Sequence, residues 1–168
     1  MRDKKLAEFN YKILNNNLIN GVYLSKWLPE IESECSRCKT KDDIVHMLLD
    51  CTINNKIWEI VGDTLKTKIT CKQIVIGYGT GPETYQNTHI ATLNYCTTLI
   101  AYLIYKYRVL KLNKKIGTSV REMYSFLESE LNFRIKILKI NNSFSEHSYL
   151  DTIRNQLKQY LLLHIDPG

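Results

Sequence analysis

The chain lacks an apolar run of the roughly 20 residues that a membrane-spanning helix requires. Its longest is Leu99-Ile100-Ala101-Tyr102-Leu103-Ile104-Tyr105, so no membrane span is expected, and no N-terminal apolar segment resembles a signal peptide. Internal repeats and low-complexity tracts are missing as well. Neither half has the composition of a disordered chain: 44% of the 168 residues are hydrophobic and 24% charged, the balance of a folded protein. That length suits one core, or a small lobe beside a larger one. Recognisable catalytic constellations are absent too. His89, His147 and His164 stand alone, and no Ser/His/Asp order occurs. Gly77-Tyr78-Gly79-Thr80-Gly81-Pro82 lacks the Gly-Lys-Ser/Thr and the following helix that a phosphate loop requires. It reads as a linker.

Cysteine is present in the odd number of five. Three of the five belong to one short pattern, which argues against a disulfide-built secreted protein and for a reducing, intracellular compartment. The pattern is Cys35-Ser-Arg-Cys38, seven residues, His46, four residues and Cys51, all within 17 residues. Three cysteines and one histidine fill the tetrahedral shell of one structural Zn2+ and leave no position for substrate water. The two-residue gap lets two thiolates on one tight turn face a common ion. The second pair must come from another element, and Ile44-Val45-His46-Met47-Leu48-Leu49 reads as a short helix capped by Asp42 and Asp43. On an unbroken α-helix, a residue five places after His46 lies about 140° round the axis. Convergence of Cys51 on the ion therefore predicts a helix stop near Asp50.

The remaining periodicity is helical, and the fold class expected is mainly α: a small zinc-stapled helical lobe over residues 1–76, a linker at 77–86, and a three-helix bundle over 87–168. Asp3 caps a helix from Lys4 to about Asn16 with Leu6, Phe9 and Ile13 on one stripe. A short apolar segment with Val22, Leu24 and Trp27 follows the Ile19-Asn20-Gly21 turn. Ile53, Ile57, Trp58, Val61 and Leu65 mark a helix after the cysteine pattern, and residues 69–76 fit a strand or, in preference, a short helix capped at Thr70. The two tryptophans are read as packing anchors rather than base-stacking platforms. The longest periodic segment, Asn87 to Leu112, presents Leu93, Cys96, Ile100, Leu103, Ile104, Tyr107 and Leu110 on one face. Ser119 with Glu122 makes a capping box for a helix ending at Asn141-Asn142, and a last helix spans about Tyr149 to Leu163.

Charge is divided unevenly. Residues 1–60 carry nine basic and nine acidic side chains, whereas residues 61–168 carry fourteen and eight, so the net charge of +6 lies in the second part. Lys106, Arg108, Lys111, Lys114, Lys115 and Arg121 occur with no acidic residue among them, a run suited to a polyanion. Cations balancing a helix C-terminus are the competing explanation. Arg37, Lys39 and Lys41 make a smaller basic tip on the cysteine turn.

Cys-x2-Cys-x7-His-x4-Cys-x6-Trp, preceded by Lys12-Ile13-Leu14 and Leu24-Ser25-Lys26-Trp27, resembles the zinc-binding region that follows the polymerase domain in LINE-type (non-LTR) retrotransposon reverse transcriptases. The similarity is clearest over residues 4–61, about a third of the chain. Tyr102-Leu103-Ile104-Tyr105-Lys106-Tyr107-Arg108 is similar to the tail of such polyproteins. The resemblance implies Cys35, Cys38, His46 and Cys51 as zinc ligands and Trp58 as their packing aromatic. It further implies an accessory region, not an enzyme, that helps hold template RNA or target DNA in target-primed reverse transcription, within a nuclear or cytoplasmic ribonucleoprotein. Polymerase and endonuclease domains are not in this chain, so upstream reverse transcriptase domains enter only as partners. Phosphate contacts are expected first at Lys106, Arg108, Lys111, Lys114 and Lys115, and second at Arg37, Lys39 and Lys41. A zinc-stapled structural or protein-interaction module without nucleic-acid binding is the alternative.

Overall fold

A computed structural model describes residues 3–79, 87–113, 119–141 and 144–164. Among them every regular element is helical: α1 (Lys4–Leu14), α2 (Gly21–Leu24), a one-turn π-helix (His46–Asp50), α3 (Asn55–Leu65), α4 (Cys71–Val75), α5 (Thr88–Asn113), α6 (Val120–Ile140) and α7 (Phe144–His164). The fold is mainly α, as the periodicity implies, and no described helix is long and apolar enough to cross a membrane.

Local chemistry starts these helices where the sequence places them. The Asp3 carboxylate accepts from the backbone N–H groups of Lys5 and Leu6 at 3.0 and 3.4 Å, satisfying donors that the first turn of α1 would otherwise leave open. It also pairs with Arg134, tying the start of α1 to α6. The Ser119 hydroxyl accepts from the Glu122 backbone N–H at the start of α6, and Thr70 stands at the N-cap of α4, so residues 71–75 are helix and not strand. Residues 80–86 of the expected linker, together with Lys114, Lys115 and Asn142, lie outside the described residues.

Burial then places α5 at the centre. One side packs on α1, α4 and the π turn, the other on α6 and α7, and α3 lies against α7. Phe9 of α1 meets the rings of Tyr102 and Tyr105, each 5.5 Å away between centroids. Covered on opposite sides, α5 buries Leu99 and Ala101 in addition to the expected stripe, as a helix surrounded by others must. Leu110 departs from that stripe and is exposed. Leu6, Phe9 and Ile13 of α1, Ile57 and Val61 of α3, Leu103 and Ile104 of α5, Leu127 and Leu131 of α6, and Leu150 and Leu157 of α7 belong to one continuous apolar cluster.

The two tryptophans separate. Trp58 is buried and its indole N–H donates to the Leu48 carbonyl at 2.8 Å, so it anchors the π turn to α3. Trp27 corrects the reading that made it a packing anchor, being 74% exposed. The chain leaves α2 through a turn in which the Trp27 N–H donates to the Leu24 carbonyl, and this turn carries the indole into solvent.

Candidate metal centre

The cysteine turn is held as a narrow hairpin. An isolated antiparallel bridge joins Glu34 and Lys41, the Cys35 N–H donates to the Thr40 carbonyl at 2.8 Å, and the Lys39 N–H returns to the Cys35 carbonyl at 2.9 Å. To close so tightly, Lys39 adopts φ +55°, a left-handed conformation that L residues other than glycine rarely take. The hairpin is seated by α2. Gly21 lies so close that an added Cβ would stand 2.9 Å from the Asp42 Cβ and 3.0 Å from the Glu32 carbonyl oxygen, so only glycine fits.

His46 and Cys51 come from the second element. Asp43 caps it, its carboxylate accepting from the His46 N–H at 3.0 Å, while Asp42 does not cap and is used elsewhere. The turn then widens. The Cys51 N–H donates to the His46 carbonyl at 2.9 Å, a five-residue repeat in place of the four-residue α repeat, and Cys51 leaves the helix with extended backbone at ψ 130°. The stop expected near Asp50 is present, and the wide turn draws a residue five places on back toward the face of the first. Asn54 fixes this exit with its side-chain N–H on the Met47 carbonyl at 2.9 Å.

These two elements bring Cys35, Cys38, His46 and Cys51 together with one potential ligand atom each, all within 4.8 Å of one another. The Cys51 Sγ lies 3.9 Å from Cys35 Sγ and 3.7 Å from Cys38 Sγ. The set is a cluster able to hold a metal ion. His46 is oriented for it: Nδ1 is 3.2 Å from the Thr40 hydroxyl, while Nε2 is buried with no hydrogen-bond partner. With Nε2 turned to an ion, Nδ1 keeps the proton and donates to Thr40 Oγ1, which fixes tautomer and ring orientation.

The two buried thiols share a proton unequally. Cys35 is held well below the ordinary thiol range, first by the hydrogen bond from the Cys51 thiol and, against the cost of burial, by the backbone N–H groups of Cys38 and Arg37. Cys51 is pushed up because it keeps the shared proton and because it is buried. A buried cation touches the cluster. Arg108, from the last two turns of α5, donates from Nη1 and Nη2 to Cys35 Sγ at 3.7 and 3.6 Å and from Nη2 to the Asp42 carboxylate at 2.7 Å. Burial works against its charge, but Asp42, Cys35 and Cys51 more than offset that and raise its pKa.

The basic residues picked from the sequence therefore divide. Arg108 is only 3% exposed and is withdrawn from any phosphate-contacting surface, since its guanidinium faces the cysteines. Lys106 pairs with Glu130 at 2.7 Å and Lys111 pairs with Glu122 while lying over the Tyr107 ring. Lys106 and Lys111, without acidic neighbours in sequence, thus meet carboxylates of α6 in space. Arg37, Lys39 and Lys41 are exposed at the hairpin, and none of them forms an ion pair among the described residues. Thr40, Asp42 and Arg108 were not legible as supports of the cluster. Thr40 had only its proximity to Cys38, and Arg108 lies 73 residues from Cys35.

Comparison with protein-family models, with curated proteins and with solved structures finds no match to this chain.

Proposed function

We propose that the cluster holds one structural Zn2+ and that this chain is a non-catalytic, nucleic-acid-binding accessory region. Zinc–thiolate bonds of about 2.3 Å place tetrahedral sulfurs about 3.8 Å apart, and the two Sγ separations of 3.7 and 3.9 Å bracket that value. Three thiolates and one imidazole complete the shell, so the ion would hold structure and activate no water.

The observation that carries nucleic-acid binding is the state of the hairpin cations. Arg37, Lys39 and Lys41 are exposed and form no ion pair among the described residues, on a turn that the metal would make rigid, whereas Lys106 and Lys111 already have carboxylates. Phosphate contacts from such a tip supply affinity without reading sequence, and they weaken steeply with salt. The primary surface is accordingly the hairpin, a change from the α5 run. Taken with the resemblance to LINE-type reverse transcriptases, this supports a role in holding template RNA or target DNA beside upstream reverse transcriptase domains in an intracellular ribonucleoprotein.

Binding of structured RNA, single-stranded DNA and duplex DNA, titrated with salt, tests the reading. A steep salt slope that falls when Arg37, Lys39 and Lys41 are replaced together by glutamine is the result expected; no binding to any of the three at low salt would contradict it. A protein-interaction module is the second reading. It is favoured by Phe133 and Ile140, exposed at 61% and 79% on the outer face of α6.

A further inference from the structure

We infer that Arg108 is a positioning residue of the metal centre, acting through Cys35, and that it makes seating of the central helix α5 depend on metal occupancy. The inference rests on the metal reading above and extends it to a residue that no ligand pattern contains.

The geometry is built for a charged sulfur. Two N–H groups of one guanidinium converge on Cys35 Sγ at 3.6 and 3.7 Å while the same Nη2 also holds Asp42 at 2.7 Å. Arg108 is 3% exposed, Asp42 1% and Cys35 1%, so water screens none of these contacts. A planar fork can serve two acceptors at once, which an ammonium point charge does less well. A divalent ion with three thiolates and a neutral imidazole carries a net charge of −1, and burying that charge requires a nearby counter-cation. Arg108, hydrogen-bonded to Cys35 Sγ, supplies it.

The contact runs in both directions. Asp42 belongs to the hairpin and accepts from the Gly21 N–H at 3.2 Å, so the Arg108 fork joins α5, the hairpin and α2 at one point. Metal bound to Cys35 thereby fixes the acceptors that hold α5, and Arg108 in turn fixes the orientation of Cys35. Outer-sphere partners of this kind change metal affinity by about 10- to 100-fold when removed.

The experiment uses the full chain, stripped of metal and titrated with Co2+ against a competing chelator, comparing wild type, Arg108→Lys and Arg108→Met. Affinity and the thiolate-to-cobalt charge-transfer band are both read. Arg108→Met is expected to bind Co2+ 10- to 100-fold more weakly, with the band displaced to lower energy because Cys35 has lost two N–H donors; Arg108→Lys should recover part of the affinity. Equal affinity and an unmoved band in Arg108→Met overturn the inference while leaving the metal site in place. A wild-type chain that takes up no Co2+ overturns the metal reading and this inference together. Should Arg108→Met not fold, hydrogen exchange on the wild type decides: chelation should raise exchange in α5 around residues 104–109 as well as in the hairpin, and loss of protection confined to residues 33–54 overturns the coupling.

Discussion

Cys51 donates its backbone N–H to the carbonyl of His46, five residues back, at 2.9 Å. That one bond decides whether the fourth ligand reaches the others. An α turn would send Cys51 about 140° away from His46, whereas the π turn brings both to the ion side. Cys51→Ser should therefore lose the metal and, because metal-binding free energy is folding free energy at such a site, loosen the hairpin and the start of α3. Chelator-dependent thermal unfolding checks this: the wild-type transition should fall on chelation and the variant's should not move.

Trp58 secures the same turn from the far side. Trp58→Phe keeps most of the buried ring but leaves the Leu48 carbonyl without its donor, and should cost about 1–3 kcal/mol. Trp58→Ala should cost about 3–5 kcal/mol through the cavity it leaves. Urea unfolding with an unchanged slope would measure both.

Asp42 is paired, not capping. Removing its carboxylate strands the buried Arg108 charge, so Asp42→Ala should destabilise the fold by about 3–5 kcal/mol, far more than loss of a helix cap, about 1 kcal/mol. Asp43→Ala, which removes the true cap on His46, should show the smaller value.

Lys39 allows charge and fold to be separated at the proposed phosphate surface. At φ +55° glycine suffers none of the Cβ crowding that lysine does. Lys39→Gly should leave the thermal transition unchanged or raised. If the hairpin contacts phosphate, the same variant should flatten the dependence of log affinity on log salt by about 0.7 for single strands or about 0.9 for duplex, one contact's worth.

Thiol reactivity and alkaline stability report burial. Cys96 is fully buried, and burial, aided by Glu146, pushes it up to about 12. At pH 8 the metal-loaded chain should be alkylated at the partly exposed Cys71 first, at Cys35, Cys38 and Cys51 after chelation, and at Cys96 only on unfolding. Burial likewise raises Tyr95, Tyr105, Tyr107 and Tyr124. The sign follows: above pH 9 the unfolded chain gives up protons that the fold retains, so stability should be full below pH 9 and fall as pH rises toward 12.

What the sequence made legible was local. Caps at Asp3 and Ser119, the apolar stripes of α1 and α6, the four ligand candidates and the helix stop before Cys51 are each set by residues within a turn or two of one another. Contacts between distant elements left no trace in the one-dimensional pattern. Arg108 looked like one more cation in a basic run because Asp42 and Cys35 are remote in sequence. Lys106 and Lys111 looked unopposed because Glu130 and Glu122 belong to the next helix. Trp27 looked like core because hydrophobicity alone does not say which way a short turn points. Read by sequence neighbours, the charge map put the expected polyanion surface on α5; in space Lys106, Arg108 and Lys111 are paired, and the proposed surface moves to the hairpin.

The central claim is that Cys35, Cys38, His46 and Cys51 hold one metal ion, and elemental analysis of the purified chain tests it most directly. One zinc per wild-type chain, with none retained by Cys51→Ser or His46→Ala, is the result predicted. A well-folded wild-type chain that neither contains nor takes up zinc would contradict it.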